Sequence, residues 1–326
     1  MQTLPNSIDN SAPSYLSDEE IRPFLSGIAG FVKDPKVGLF GPDSMFWEVN
    51  RHTLVYFLGA VQSVQMQLCH PWIATAVFEH SKIMTDPKQR AQLTYTFLWS
   101  LIYGDLNMVQ NKAKALFRVH SRVQGELTQP AGRHRAGNHY QANEVNALLW
   151  VHVTAFYSRV KLYQSLIKPL TQRQLDQFCQ EAIRYAFCFG IPEEKHPQTW
   201  QEVERYVAAV CQSDVLGRTD EGLAIRRFLE ATLPWTVRSA LWTFLCVSLP
   251  EPIQIFLDQP QASPRNNRKA KRVQHLLKVI NWLLPEKLAN VPAYHEAMLR
   301  IKGDTQRDRL LEKLNLQMIG RPSLVR

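Results

Sequence analysis

Three histidines lie in stretches of sequence that read as apolar faces of helices, where an imidazole is either tolerated in the core or used as a ligand. His120 in FRVHSRVQGEL and His152 in LLWVHVTAFYS both have apolar residues three or four positions away, on one helix face. His70 in QMQLCHPW directly precedes a proline, so it could end one helix and reach towards another. A single histidine of this kind is more often a satisfied core residue than a ligand. The three together keep a cofactor site as an alternative.

Arg90 is the strongest polar candidate on an apolar face. The residues that follow it at helical spacing are Leu93, Thr94, Phe97 and Leu101. This spacing predicts that the guanidinium points along a buried face. Arginine keeps its charge in proteins, so a buried arginine must find an anion. Asp86, one turn earlier, is the structural alternative for that anion, and a bound carboxylate ligand is the functional one.

The kind of cofactor follows from how these residues are distributed. The histidines lie in different predicted helices and the five cysteines form no CxxC pair, whereas zinc needs several closely spaced ligands. One axial imidazole, an apolar cavity and a cation for the propionates are what haem requires. The pattern therefore favours haem over zinc. His134 and His139 fall in a glycine-containing loop and are predicted to be solvated.

The elements that must position these residues are almost all helical. Apolar residues recur at spacings of three and four in 90–110, 112–127, 144–165, 171–190, 200–212, 219–231 and 269–284. Residues 54–78 read as two buried helices that meet at Pro71. No stretch alternates with a period of two, and no long linker divides the chain. The sequence predicts one large all-α, multi-helix domain with a buried haem pocket.

Composition excludes several classes of protein. The chain has 326 residues, 45% of them hydrophobic and 21% charged, which is typical of a globular protein. No apolar run reaches the roughly 18 residues of a transmembrane helix. The N-terminal segment lacks the basic and apolar regions of a secretory signal, so we expect a cytoplasmic protein with reduced cysteines.

The net charge of +9 is spread along the chain, which argues against nucleic acid as a partner. The only dense basic run, within 263–285, precedes apolar residues that include Trp282. A basic, amphipathic helix with a tryptophan is typical of a peripheral membrane contact, here through 269–284. The favoured interpretation is nevertheless a helix that packs on the core and presents a solvated basic face.

A series of short motifs resembles one family over about residues 45–240. The motifs are FWEVNR (46–51), QLCHPWIATAVFEHS (67–81), DPKQRAQLT (86–94), IYGD (102–105), VHSRVQG (119–125), YQANEVNALLWVH (140–152), GIPEE (190–194) and LP-x-x-VR (233–238). Together they resemble the superfamily of latex clearing protein and MpaB-like oxygenases. The resemblance implies an all-helical haem b protein that cleaves isoprenoid double bonds oxidatively. Its catalytic domain would span 45–250, between an N-terminal extension (1–44) and a C-terminal helical extension (251–326) in the same globule.

The resemblance also implies roles for individual residues. His120 matches the proximal haem ligand, Arg90 and Thr94 match a polar pair beside the haem, and His152 matches a histidine near the pocket. His70 is kept as a further cofactor-binding candidate. Two positions depart from the family pattern: His52 stands where many relatives have an acid, and Leu93 stands where rubber oxygenases have a lysine that can cap the distal iron. Rubber is therefore a poor candidate substrate.

The function expected from these residues is that of a haem b-dependent oxygenase acting with dioxygen on a small hydrophobic substrate of the isoprenoid type. Dioxygen would bind opposite His120. A non-catalytic haem carrier or redox sensor on the same scaffold is the alternative, because both need an axial histidine and an apolar pocket. A helical scaffold without a cofactor is the third interpretation.

Overall fold

The computed structural model describes residues 13–304 and 306–324. Residues 1–12, Thr305 and the last two residues lie outside the described residues. Residues 1–12 belong to the predicted N-terminal extension (1–44) and to the segment searched for a secretory signal. The α-helices are α1 (Asp18–Gly27), α2 (Met45–Asn50), α3 (Thr53–Gln67), α4 (Pro71–His80), α5 (Pro87–Tyr103), α6 (Leu106–His120), α7 (Val145–Leu166), α8 (Gln172–Phe187), α9 (Trp200–Gln212), α10 (Asp220–Thr232), α11 (Trp235–Val247), α12 (Glu251–Phe256), α13 (Pro264–Leu283), α14 (Glu286–Ala289), α15 (Pro292–Lys302) and α16 (Arg309–Ile319). The all-α fold class is confirmed. Short 3₁₀ turns lie at Ile28–Phe31 and Glu193–Lys195.

Most of the predicted helices are present within a few residues of their expected bounds. The predicted pair over 54–78 is confirmed as α3 and α4, with Pro71 at the first position of α4. The single helix predicted over 90–110 is wrong, because α5 ends at Tyr103 and α6 begins at Leu106. Gly104 between them is extended, and the Asp105 side chain accepts a hydrogen bond from the Met108 backbone N–H at 2.8 Å. A side-chain cap of this kind starts a new helix.

The one sheet among the described residues was not expected from the sequence. β1 (Gln124–Glu126) pairs antiparallel with β2 (His139–Gln141), and Gly125 lies opposite Tyr140. The prediction of a helix over 112–127 is therefore wrong beyond His120, where α6 ends. Gly125 favours this outcome, because its missing side chain leaves room for the Tyr140 ring directly across the ladder.

The core is organised around the packing of α3 against α7. Gly59 lets the two helices approach closely, because a Cβ atom there would lie 2.7 Å from Cγ of Arg159. Large buried side chains fill the space around this pair, including Trp47, Trp99 and Trp150. Helix α7 also carries buried polar groups into the core, among them His152 and Arg159.

The C-terminal helices pack onto the helices that precede them. The Arg300 guanidinium in α15 donates to the Tyr103 backbone carbonyl at 2.6 Å, and the Gln92 amide in α5 donates to the Gln317 carbonyl in α16 at 3.0 Å. The five cysteines are free and buried, as expected. Within 13–304 and 306–324, no helix combines the length and the apolar character that crossing a membrane requires.

Candidate functional site

Arg90, in the first turn of α5, is held by hydroxyl groups. Its Nε donates to Ser81 Oγ at 2.8 Å and its NH1 donates to Thr94 Oγ1, while the Thr94 hydroxyl donates to the Arg90 backbone carbonyl at 2.8 Å. Asp86 caps the helix by accepting from the Gln89 N–H, so it is not the partner of Arg90. Burial lowers the pKa of Arg90, and no carboxylate of the described chain offsets that effect. The half-buried guanidinium therefore lacks the anion that its charge calls for.

His120, the last residue of α6, lies close enough to Arg90 for the two to interact electrostatically. Desolvation of the ring, reinforced by the charge of Arg90, lowers the pKa of His120 to about 4. The residue keeps a small exposed surface, and its ring forms no hydrogen bond with any described residue. His120 is thus a neutral imidazole at ordinary pH with ring nitrogens that no protein group occupies. Neutral imidazole is the form that binds metals.

The face of α5 that follows Arg90 is apolar but only partly buried. Leu101 is fully buried, whereas Leu93 is 62% exposed, so the prediction of a continuous buried stripe is wrong at its beginning. Phe97 and Tyr95 are half-buried. The Tyr95 ring stacks on Trp99 at 5.7 Å between centroids. Phe97 and Leu101 continue the face of Arg90 towards the core, whereas the Tyr95 and Trp99 rings lie on the other side of α5 and pack on Tyr56 of α3.

His152 in α7 is buried against a second histidine. His196 Nδ1 lies 2.8 Å from the Pro197 carbonyl oxygen, which can only accept, so Nδ1 carries the proton. Burial lowers the pKa of His196 to about 4, which leaves its Nε2 as an acceptor. The two Nε2 atoms are 2.9 Å apart, so His152 Nε2 donates to His196. His152 Nδ1 is then a buried acceptor without a partner among the described residues.

Arg159 is a second buried cation, two turns beyond His152 on the same face of α7. Its NH1 donates to Asn50 Oδ1 at 3.1 Å, its guanidinium lies 4.4 Å from the centre of the Tyr56 ring, and its Nε has no partner in the described chain. The hydroxyls of Tyr56 and Tyr185 are also buried and unpartnered there. Such orphaned groups are costly in a dry core. They mark a polar cluster that a bound group could satisfy.

The structure brings some of the predicted site residues together and separates others. Arg90, Thr94 and His120 form one group. His152 reaches α5 through ring contacts, because Phe189 lies 6.3 Å from its ring and 6.1 Å from Phe97.

His70 has other neighbours: its ring lies 5.4 Å from that of His134 and 6.1 Å from Trp72. His134, predicted to be solvated, is instead buried and hydrogen-bonded to the Val215 carbonyl at 3.2 Å. His139 is exposed as expected.

Sequence reasoning did not find His196 and Arg159. Arg159 had a usable signal, since it follows His152 by seven residues in a largely apolar helix. His196 had none, because it lies in a turn and is defined by a contact with a residue 44 positions away.

The residues present fit a haem. His120 supplies a neutral imidazole without a hydrogen-bond partner among the described residues, Arg90 supplies a cation without a carboxylate, and Phe97, half-buried on the Arg90 face of α5, supplies apolar surface. An axial ligand, a cation for the propionates and apolar surroundings are what a haem site combines. No group of three or more His, Cys, Asp or Glu side chains in the described ranges could hold a metal ion by protein ligands alone. A haem iron takes most of its ligands from the porphyrin.

The fold and the site define an all-helical protein in which a largely buried histidine lies within electrostatic range of an arginine that has no carboxylate partner among the described residues. Residues 47–282 match the family described as ER-bound oxygenase mpaB/B'/rubber oxygenase, catalytic domain. The chain belongs to this family of oxygenase catalytic domains, and the match extends into α13. No curated protein matches the sequence, and no solved structure matches the fold.

Proposed function

We propose that this protein is a haem b-dependent oxygenase that acts on a small hydrophobic substrate of the isoprenoid type. The observation that carries the proposal is the pairing of an unpartnered, neutral His120 with an Arg90 that has no counter-anion. Membership of an oxygenase family supports the reaction class. Haem b, when bound, supplies the activation of dioxygen.

Each residue of the site has a role that follows from its contacts. His120 would bind the haem iron, because burial of the ring, reinforced by the charge of Arg90, lowers its pKa to about 4 and keeps it neutral. Arg90 would pair with a propionate. Ser81 and Thr94 fix the direction of its guanidinium by accepting from Nε and NH1. Positioning by hydroxyls rather than carboxylates leaves the charge of Arg90 available to the cofactor.

The substrate class follows from the lining of α5 and the polar groups behind it. Phe97, half-buried on the same face of α5 as Arg90, offers aromatic surface to a hydrophobic chain. His152 Nδ1, which Phe189 links to Phe97, is a buried acceptor that could take one hydrogen bond from a donor. The side chain at position 93 is a leucine, which has no donor atom for iron, and it is largely exposed. We therefore expect a site without a lysine cap.

The proposal is tested with the visible absorption spectrum of the protein after titration with haem. The wild-type chain should bind haem one to one, develop a Soret band and, when reduced, bind carbon monoxide. His120→Ala should lose haem retention but keep its helical circular dichroism, because one ligand contributes little to so large a core. His139→Ala, an exposed histidine in the hairpin, is the matched control and should bind haem normally.

Full haem content with an unchanged spectrum in His120→Ala would overturn the assignment of the axial ligand. If the iron in the wild-type protein has two protein ligands in both oxidation states and does not bind carbon monoxide, the result would favour the haem carrier or redox sensor. A wild-type protein that binds no haem would favour the scaffold without a cofactor.

A further inference from the structure

Helix α13 exposes a cluster of large apolar side chains over its C-terminal half. Trp282 is 82% exposed, and the other members of the cluster are Leu276, Val279, Ile280 and Leu283. Ala270 is the only buried residue of the helix. Isolated exposed apolar residues are ordinary, but five within eight positions form a patch that marks an interaction surface.

The helix is nevertheless held firmly on the body of the protein. Val273 and Leu277 pack against the core, and the Gln274 amide donates to the Ser165 carbonyl at the end of α7 at 2.9 Å. Only this narrow stripe of α13 packs inward, so the expectation of a helix with its apolar face covered by the core is wrong for the C-terminal half. The apolar cluster faces outward on a rigid support.

Charge decides what kind of partner suits this surface. Helix α13 carries six Lys and Arg residues and no Asp or Glu: Arg265, Arg268, Lys269, Lys271, Arg272 and Lys278. Lys269 donates to Ser239 Oγ at 2.6 Å, and no described carboxylate forms an ion pair with any of the six. A second copy of the chain would present the same positive charge and be repelled. An anionic surface would be attracted.

We propose that α13 docks in the plane of an anionic phospholipid surface. The apolar cluster of α13 enters the boundary between headgroups and acyl chains, with Trp282 at the interface, and the basic residues meet the headgroup phosphates. This combination of a strongly cationic helix with an outward apolar face and a tryptophan is what interfacial helices share. Attraction of Lys and Arg to anionic lipid falls with ionic strength. The proposal does not depend on the proposed haem chemistry.

Co-sedimentation of the full chain with vesicles tests the proposal. Vesicles of phosphatidylcholine mixed with phosphatidylserine should bind the protein, added salt should weaken the binding, and pure phosphatidylcholine should bind it far less. Trp282→Ser combined with Leu283→Ser should lower the partition coefficient at least about tenfold. Arg268→Gln with Arg272→Gln should lower it about thirtyfold at low salt, since each cation contributes about 1 kcal/mol near such a surface.

The matched control is Leu310→Ser with Leu316→Ser, two exposed leucines on α16. This variant should bind like the wild type. Equal loss of binding in the control, or normal binding of the Trp282 and Leu283 variant with unchanged circular dichroism, would overturn the proposal. A dimer in sizing chromatography that this variant abolishes, without any vesicle binding by the wild type, would assign the patch to a second copy instead.

Discussion

Replacing Arg90 with methionine separates a cofactor role from a structural one. Methionine keeps an unbranched apolar stem of similar length and removes the charge. In the structure the guanidinium is held by Ser81 and Thr94 and by no carboxylate. The change therefore strands no buried anion, which is the usual reason that loss of one partner of an ion pair is so destabilising.

The expected magnitudes differ between the apoprotein and the haem complex. In the apoprotein, the lost hydrogen bonds to two hydroxyls are offset by relief from desolvation, which already lowers the pKa of Arg90. We expect the free energy of unfolding to change by less than about 1 kcal/mol. In the complex, a charge-assisted hydrogen bond to a propionate is lost, at about 1.5 to 3 kcal/mol. The dissociation constant for haem should rise about 10- to 100-fold.

Two measurements on the same preparation decide between the roles. Urea unfolding of the apoprotein gives the stability change, and titration with haem followed at the Soret band gives the affinity change. Lys88→Met, an exposed cation in the same helical turn, should alter neither. An apoprotein destabilised by more than about 2 kcal/mol with unchanged haem affinity would show that Arg90 serves the fold and would refute the reasoning.

Two further predictions concern the core. Gly59→Ala should destabilise the protein by about 1 to 3 kcal/mol in urea unfolding, because the new methyl group would clash with Arg159 where α3 packs on α7. Gly30→Ala is the control and should be close to neutral, because its new methyl group would contact no atom. Equal destabilisation by the two substitutions would contradict the close approach of α3 and α7. Burial lowers the pKa of His70 to about 3 in the folded protein. Between about pH 6.5 and pH 3, His70 is therefore protonated in the unfolded chain but not in the folded one. Stability should accordingly fall as pH drops from 6.5 towards 4, and His70→Leu should flatten this profile by about 1.4 kcal/mol per pH unit. A profile as steep as that of the wild type would show that His70 is not the group responsible.

Much of the fold follows from local sequence signals. The periodic apolar pattern of α7 to α10 and the break at Pro71 are properties of a few neighbouring residues, so the sequence predicts them closely. The hairpin after His120 was missed because its strands have three residues each and exist only through pairing with each other. Three residues are too few for an alternating pattern of apolar and polar side chains to be recognised. The outward face of α13 was the less favoured alternative for a related reason, since an amphipathic pattern does not tell whether a neighbour covers it.

The candidate site divides in the same way. Arg90 and His120 stood out because a charged or titratable group on an apolar stripe is anomalous within one helix. Of the two anions considered for Arg90, Asp86 is not the partner, because it caps α5 through the Gln89 N–H and no carboxylate of the described residues acts on Arg90. His196 was invisible because its importance comes from a contact with His152 on another element. Pairings between distant segments are what the sequence alone does not reveal.

The close approach of Gly59 and Arg159 also constrains how the protein is made. These residues are roughly a hundred positions apart, and α4, α5 and α6 lie on the intervening chain. Bringing the two ends of so long a loop together costs chain entropy before the contacts between α3 and α7 form, and this slows folding. During synthesis, Arg90 and His120 leave the ribosome well before α7 can lock against α3. A nascent chain that stops short of α7 therefore carries Arg90 and His120 before the core is complete, and uptake of the proposed haem would follow completion of the core.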